Sequence, residues 1–447
     1  MFQLLRHERW PAGRRDRAVK SYMLWRGYTA PSLAIPGRNG YSSGRLVKLR
    51  RSRAFGIVES DLRFFAGIVA MLALMMAPQS AAYARQPVPD IPDEADLPIA
   101  ILYDAGSGQI LHQRNADRRF MPASITKLMS AYVAFELIDA GVIEPRQRFT
   151  MRPATFAEWG GKGSTMFLQN NAHVSVASLL RGITTVSAND GAIVLAEGAS
   201  GSVASWAALM NQNARNLGMM NSHFASPNGW MDEGQTFTTG HDLIRLADAM
   251  IRRHPALYHT YIGRPEFHFG GITQHNRDPM IGRFQGADGI KTGFTNEAGF
   301  GYVGSAIRNG RRLIMVVAGA DSARLRNKAA RDYMEWGFSA FDVLPFYGAG
   351  DVIGVARVQD GSRREVGLVA DHSIHISAPQ GTRPHVTMRI NYDGPIRAPI
   401  AKGETVAELE IEVEGMGASR IPLQAADNVT KANAFERVLG GIAGWIS

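Results

Sequence analysis

The apolar pattern of this chain changes period twice. Between Ile99 and Arg114 it is strand-like, with two short strands, Ile99–Tyr103 and Ile110–Arg114, around a Gly106-Ser107-Gly108 turn. It then takes up helical spacing: Ile125, Leu128, Met129, Tyr132, Phe135 and Ile138 recur on one face, with Pro122 suited to a first turn and Gly141 to the end. Ser175–Met219 reads as three short helices, with turns near Ser187-Ala188-Asn189 and Gly198–Ser202, and Thr239–Arg252 as another helix. From Ala287 strand character returns, and Asn309-Gly310 between two apolar runs signals a hairpin. Strands, then helices, then strands define an α+β domain over residues 97–346, whose end strands are expected to share one sheet.

Past Asp351 short alternating runs broken by Gly, Pro and Asp read as a small all-β module over 351–427. In the tail, 430–447, Phe435, Val438, Leu439, Ile442, Trp445 and Ile446 fall on one stripe of an amphipathic helix. A packed terminal helix and a membrane-surface anchor both fit that stripe.

The start of the chain has a different texture. Basic residues precede an apolar run, Phe64–Ala77, which is followed by small residues and Ala82-Tyr83-Ala84. That is the order of a secretory signal over 61–84, and at 14 residues the run is short of the roughly 20 that span a bilayer. Residues 1–60 are expected to be an unstructured basic extension and 85–96 a Pro-rich linker. The body is therefore expected to be exported to the periplasm, on the outer face of the inner membrane if the tail anchors it.

The net charge of +9 suggests an acidic partner until it is located. Residues 1–84 carry 14 Lys/Arg against 4 Asp/Glu, which leaves 35 against 36 in 85–447. The body is electrostatically balanced, so nucleic acid is not the expected partner. The chain has no cysteine, which removes disulfides, thiol nucleophiles and Cys-ligated zinc. The histidines form no H-E-x-x-H, and His372 and His375 read as a surface pair in the β module. In "GGKGST" (Gly160–Thr165) a glycine follows the lysine, so the phosphate-loop pattern fails. Neither a metal nor a cofactor is expected.

Three short pieces carry chemistry: Ser124-Ile125-Thr126-Lys127 (S-x-x-K), Ser187-Ala188-Asn189 (S-x-N) and Lys291-Thr292-Gly293 (K-T-G). Singly each has an ordinary reading as a helix cap, a solvated lysine, a turn or an edge strand. Together, in this order and in these contexts, they form a set. Ser124 and Lys127, three apart on a helix, share a face. Lys127 must be neutral to take the Ser124 proton; burial and a second cation, Lys291, both lower a lysine's pKa. Ser187 can relay a proton to a leaving amine, and Asn189 can fix Lys127 and hold a substrate amide. Lys291 and Thr292, with Gly293 beside them, offer charge and a hydroxyl to a substrate carboxylate. The backbone N–H groups of Ser124 and Phe294 can form an oxyanion hole.

With these motifs the body resembles the S11 serine peptidases, the D-alanyl-D-alanine carboxypeptidases among the low-molecular-mass penicillin-binding proteins. "GSTMFL" (Gly163–Leu168), "HFASPNGWMD" (His223–Asp232), "TTGHDLIRLA" (Thr238–Ala247) and "ADGIKTGFT" (Ala287–Thr295) resemble family segments in order. The resemblance implies a transpeptidase-like fold, an antiparallel sheet with helices and a helical subdomain, followed by the β domain and amphipathic helix. It implies that Ser124 attacks the terminal D-Ala-D-Ala bond of a peptidoglycan stem pentapeptide, that water then hydrolyses the acyl-enzyme, and that β-lactams acylate the same serine. The alternatives are a DD-endopeptidase on cross-links, a class A-like β-lactamase with a deacylating Glu, and a non-catalytic wall-binding module. Two positions depart from the pattern: Ala188 where the family usually has Gly, and Phe294 where many members have His.

Overall fold

The computed structural model describes residues 21–24 and 90–433. The signal segment and residues 434–447 of the tail lie outside the described residues.

In chain order the strands are β1 (Ser21–Leu24), β2 (Ile99–Asp104), β3 (Gln109–Arg114), β4 (Arg148–Thr150), β5 (His173–Ser175), β6 (Glu266–Phe269), β7 (Ile272–His275), β8 (Ala287–Thr295), β9 (Gly299–Arg308) and β10 (Arg311–Ala320). The helices are α1 (Lys127–Asp139), α2 (Pro153–Trp159), α3 (Val176–Thr185), α4 (Asn189–Ser200), α5 (Val203–Asn216), α6 (Gly240–Arg253), α7 (Pro255–Tyr261) and α8 (Ala323–Ser339).

The two ends of the first domain meet as expected. β2 pairs antiparallel with β10, giving a five-stranded sheet in the order β3-β2-β10-β9-β8. Both faces of this sheet are buried. Along β10, Leu313, Met315 and Val317 pack on Leu102, Tyr333 and Met334 beside α8. Ile314 and Val316 join the larger core formed with α1, α3, α4 and α6. Period-two alternation thus feeds two cores from one strand, which is why β10 reads as a continuous apolar run. Thr239 caps α6, its hydroxyl accepting from the Asp242 amide at 3.2 Å. α5 packs on α1 and α4, with Trp206 fully buried and its Nε1 donating to Ser130 Oγ at 3.2 Å.

The second domain comprises β11 (Phe341–Tyr347), β12 (Val352–Gln359), β13 (Glu365–Val369), β14 (Ile374–Pro379), β15 (Val386–Asn391), β16 (Ile396–Arg397), β17 (Thr405–Val413) and β18 (Ser419–Ala425). β11 pairs with β14, so by hydrogen bonding it belongs here, although the sequence pattern carries the first domain to 346. The apolar texture of β11 is continuous with α8, and only the pairing assigns it. β1 pairs antiparallel with β15, so Ser21–Leu24 departs from the unstructured reading of 1–60. The apolar tetrapeptide S-Y-M-L can occupy a sheet edge, where unpaired backbone groups accept a further strand.

His372 and His375 are not a surface pair. His375 Nε2 lies 2.9 Å from the fully buried Asp104 at the end of β2, and His372 Nδ1 lies 2.9 Å from Arg252 of α6. Alternation along the β module placed them outward, but the face they occupy is covered by the first domain. Asp104 also accepts from Arg311 Nε and Ser377 Oγ, both at 2.7 Å, so the contact between the domains is built around one buried carboxylate.

Candidate active site

Ser124 sits in a 3₁₀ turn, Ala123–Thr126, that runs directly into α1. The sequence placed it in the first α-helical turn. The tighter geometry is consequential, because residues i and i+3 eclipse in a 3₁₀ helix and Lys127 is brought over Ser124. Lys127 Nζ lies 2.9 Å from Ser124 Oγ, 2.8 Å from Asn189 Oδ1 and 2.7 Å from the Asn228 carbonyl. The side chain is 1% exposed.

The Asn228 carbonyl can only accept. Asn189 Nδ2 donates to the Lys162 carbonyl at 3.0 Å, which orients the amide and leaves Oδ1 facing Lys127 as an acceptor. Two N–H groups of Lys127 are committed to these oxygens. In a neutral amine the remaining lone pair faces the Ser124 hydroxyl. Burial, and then the charge of Lys291, hold the Lys127 pKa well below its usual value, while Asp190 opposes them.

The turn between α3 and α4 presents the second motif. Ser187 adopts φ +64°, a conformation costly for a non-glycine residue, and its buried hydroxyl makes no hydrogen bond to any described residue. Asn189 opens α4, and its amide donates to the Ser164 carbonyl at 2.7 Å. Ala188 has φ −56° and is fully buried away from the cleft, so alanine fits here without strain. The Asp190 carboxylate accepts from the amides of Met166 and Leu168 at 3.0 and 3.1 Å, pinning the Gly163–Leu168 segment beside the turn.

The third motif lies on β8, the sheet edge. A Cβ on Gly293 would stand 2.6 Å from the Pro122 carbonyl and 3.2 Å from the Ile125 nitrogen, so only glycine lets the strand pass this close to the serine turn. Gly229 plays the same part from the other side, at φ +67° with no room for a Cβ against the Ala123 carbonyl. Lys291 is 4% exposed and donates to the Thr292 carbonyl at 2.8 Å. Burial, followed by the charges of Arg277 and Arg326, pushes its pKa down to about 7.

A cleft of about 700 Å³ joins the three motifs, with Ser124, Ser187, Asn189, Thr292, Gly293 and Phe294 in its wall. Sequence reasoning missed Asn228, whose contribution is a backbone carbonyl without a side-chain signature, and Arg277 and Arg326, which reach the cleft from separate elements. Among the described residues no group of three or more His, Cys, Asp or Glu is placed to hold a metal ion.

A mixed α/β domain with a serine–lysine pair at the mouth of a buried helix, facing an edge strand that bears K-T-G, defines a serine acyl-transfer enzyme of the penicillin-binding class. The comparisons with known proteins narrow this. Residues 86–322 match the Peptidase_S11 family model, D-alanyl-D-alanine carboxypeptidase, and residues 341–431 match the C-terminal domain of penicillin-binding protein 5. The chain is 32% identical to the D-alanyl-D-alanine carboxypeptidase DacC of Escherichia coli (strain K12), with 83% of this chain and 94% of that protein covered. It is similar to the crystal structure of penicillin-binding protein 5 from Haemophilus influenzae, with TM-score 0.63, 31% identity, and 76% of this chain and 99% of that one covered. Penicillin-binding protein D2 from Listeria monocytogenes, solved in an ampicillin-bound form, matches with TM-score 0.50, 30% identity, and 54% and 98% coverage. The chain belongs to the S11 family of D-alanyl-D-alanine carboxypeptidases.

Proposed function

We propose that the protein removes the terminal D-alanine from peptidoglycan stem pentapeptides through an ester on Ser124, and that β-lactams acylate the same oxygen. The observation that carries this reading is the buried Lys127 amine at 2.9 Å from Ser124 Oγ, with its other two contacts occupied by acceptors.

In the first half-reaction Lys127 takes the Ser124 proton as Oγ attacks the carbonyl of the penultimate D-alanine. The negative charge on the carbonyl oxygen is held by the N–H groups of Ser124 and Phe294. The proton held by Lys127 passes through Ser187 to the departing nitrogen, and D-alanine leaves with Lys127 neutral again. In the second, water attacks the ester, gives up a proton to the same basic groups, and Ser124 is regenerated. Lys291 and Thr292 hold the terminal carboxylate, and Asn189 holds a backbone amide of the substrate. Among the described residues lining the cleft there is no carboxylate, in contrast to the deacylating Glu that a class A-like β-lactamase requires. A slowly hydrolysed penicilloyl ester is therefore expected.

We further propose export through the Phe64–Ala77 segment, action in the periplasm and membrane-surface contact by residues 430–447. Amino-terminal sequencing of the secreted protein tests the first. Release of D-alanine from a D-Ala-D-Ala pentapeptide tests the enzyme: Ser124→Ala is expected to abolish it with the fold intact, and undiminished release refutes the assignment.

A further inference from the structure

Phe294 is 48% exposed, and its ring stacks on Phe300 with centroids 4.1 Å apart and 24° between planes. Both rings line the cleft. Alternate residues of a strand project to one side, so Phe294 stands beside Thr292. If Thr292 and Lys291 hold the terminal carboxylate, the side chain on the same α-carbon of the leaving residue comes next to this aromatic ledge. Behind it, the Arg326 guanidinium carbon lies 6.0 Å from the Phe300 centroid. Its Nε donates to Asn327 Oδ1 at 2.8 Å and its Nη1 to the Gly301 carbonyl at 3.2 Å, which holds it against the ledge. A methyl group covers little of two stacked rings.

We propose that the Phe294–Phe300 stack is a side-chain subsite for the leaving residue, selecting C-terminal D-residues with apolar side chains larger than methyl over polar ones of equal size. An isobutyl group gains by leaving water against the rings, whereas a carboxamide of the same shape loses hydration against the two ring faces. This rests on the Ser124 reading of the site and adds the substrate class to it.

The test uses peptides ending in D-Ala-D-Ala, D-Ala-D-Leu and D-Ala-D-Asn, because leucine and asparagine are near-isosteric and uncharged. The released amino acid gives kcat/KM, and stoichiometric penicillin labelling counts competent sites. Wild type is expected to favour D-Leu over D-Asn by about tenfold or more. Phe294→Ala is expected to lower the D-Leu/D-Asn ratio about tenfold, and Phe294→Leu to restore most of it. A ratio unmoved by Phe294→Ala, or a wild-type preference for D-Asn, overturns the subsite. Release that survives Ser124→Ala overturns instead the reading on which the subsite rests.

Discussion

Asn189 Oδ1 accepts from Lys127 Nζ at 2.8 Å, and the amide is held in that orientation by the Lys162 carbonyl at 3.0 Å on its other end. The second motif therefore fixes the position of the amine of the first. Asn189→Asp preserves shape and places a carboxylate against Lys127. An opposite charge favours the ammonium, so the Lys127 pKa rises and less free base is present at neutral pH. Penicillin acylation is expected to slow by about 10²–10³ at pH 7, and the ratio of the wild-type to the variant rate is expected to narrow about tenfold per pH unit as the solution is made alkaline, Lys291 titrating alike in both. Asn189→Ala, which removes the acceptor without adding charge, is expected to slow acylation without that alkaline narrowing. Stopped-flow acylation rates across pH distinguish the two.

Lys291 carries a second pH signature. Its pKa is pushed down to about 7, and it must be charged to attract a carboxylate. In the free enzyme kcat/KM for a carboxylate-terminated peptide is expected to rise as Lys127 deprotonates and to fall as pH climbs through about 7 and Lys291 follows. Lys291→Arg stays charged, so its alkaline limb is expected to vanish up to about pH 10. A neutral ester substrate assayed with wild type is expected to show no such limb.

Gly293 tests the closeness of strand and turn. The added methyl of Gly293→Ala meets backbone atoms of Pro122 and Ile125, which cannot swing aside as a side-chain end does. The strand must shift outward. We expect a stability loss of about 1–3 kcal/mol by thermal unfolding, and a loss of at least tenfold in acylation rate of the folded fraction.

Asp104 tests the contact between domains. Burial pushes its carboxyl pKa up, but the His375 hydrogen bond and the Arg311 charge together hold it well below the usual value of 3.8. A depressed folded pKa contributes stability above the unfolded value and loses it as pH falls through the folded one. Asp104→Asn leaves Arg311 without its counter-charge and is expected to cost about 3–5 kcal/mol at pH 7. Urea midpoints of wild type and variant are expected to converge as the solution is acidified below pH 3.8.

What could be read from the sequence was local. The Gly106–Gly108 and Asn309-Gly310 hairpins, the helix read over Thr239–Arg252 and the turns bounding α4 rest on backbone rules that act within a few residues, and each lies within a residue or two of where the pattern put it. The convergence of Ser124, Lys127 and Asn189 was expected from the match of the motif set to a known signature, and the distances bring the three together. What was not legible depends on contacts made across the fold. The Asn228 carbonyl has no side-chain signal, the depression of Lys291 comes from Arg277 and Arg326 on other elements, and His375 faces outward from its own strand until Asp104 covers it.

The protonation of Lys127 can be observed directly by ¹⁵N NMR of lysine side chains in the resting enzyme, with Lys127→Arg providing the assignment. We expect the Lys127 Nζ resonance to sit at the neutral-amine position at pH 7 and to move to the ammonium position only on acidification. An Nζ that remains an ammonium through pH 9 would contradict the account, because no free base would then lie 2.9 Å from the Ser124 hydroxyl.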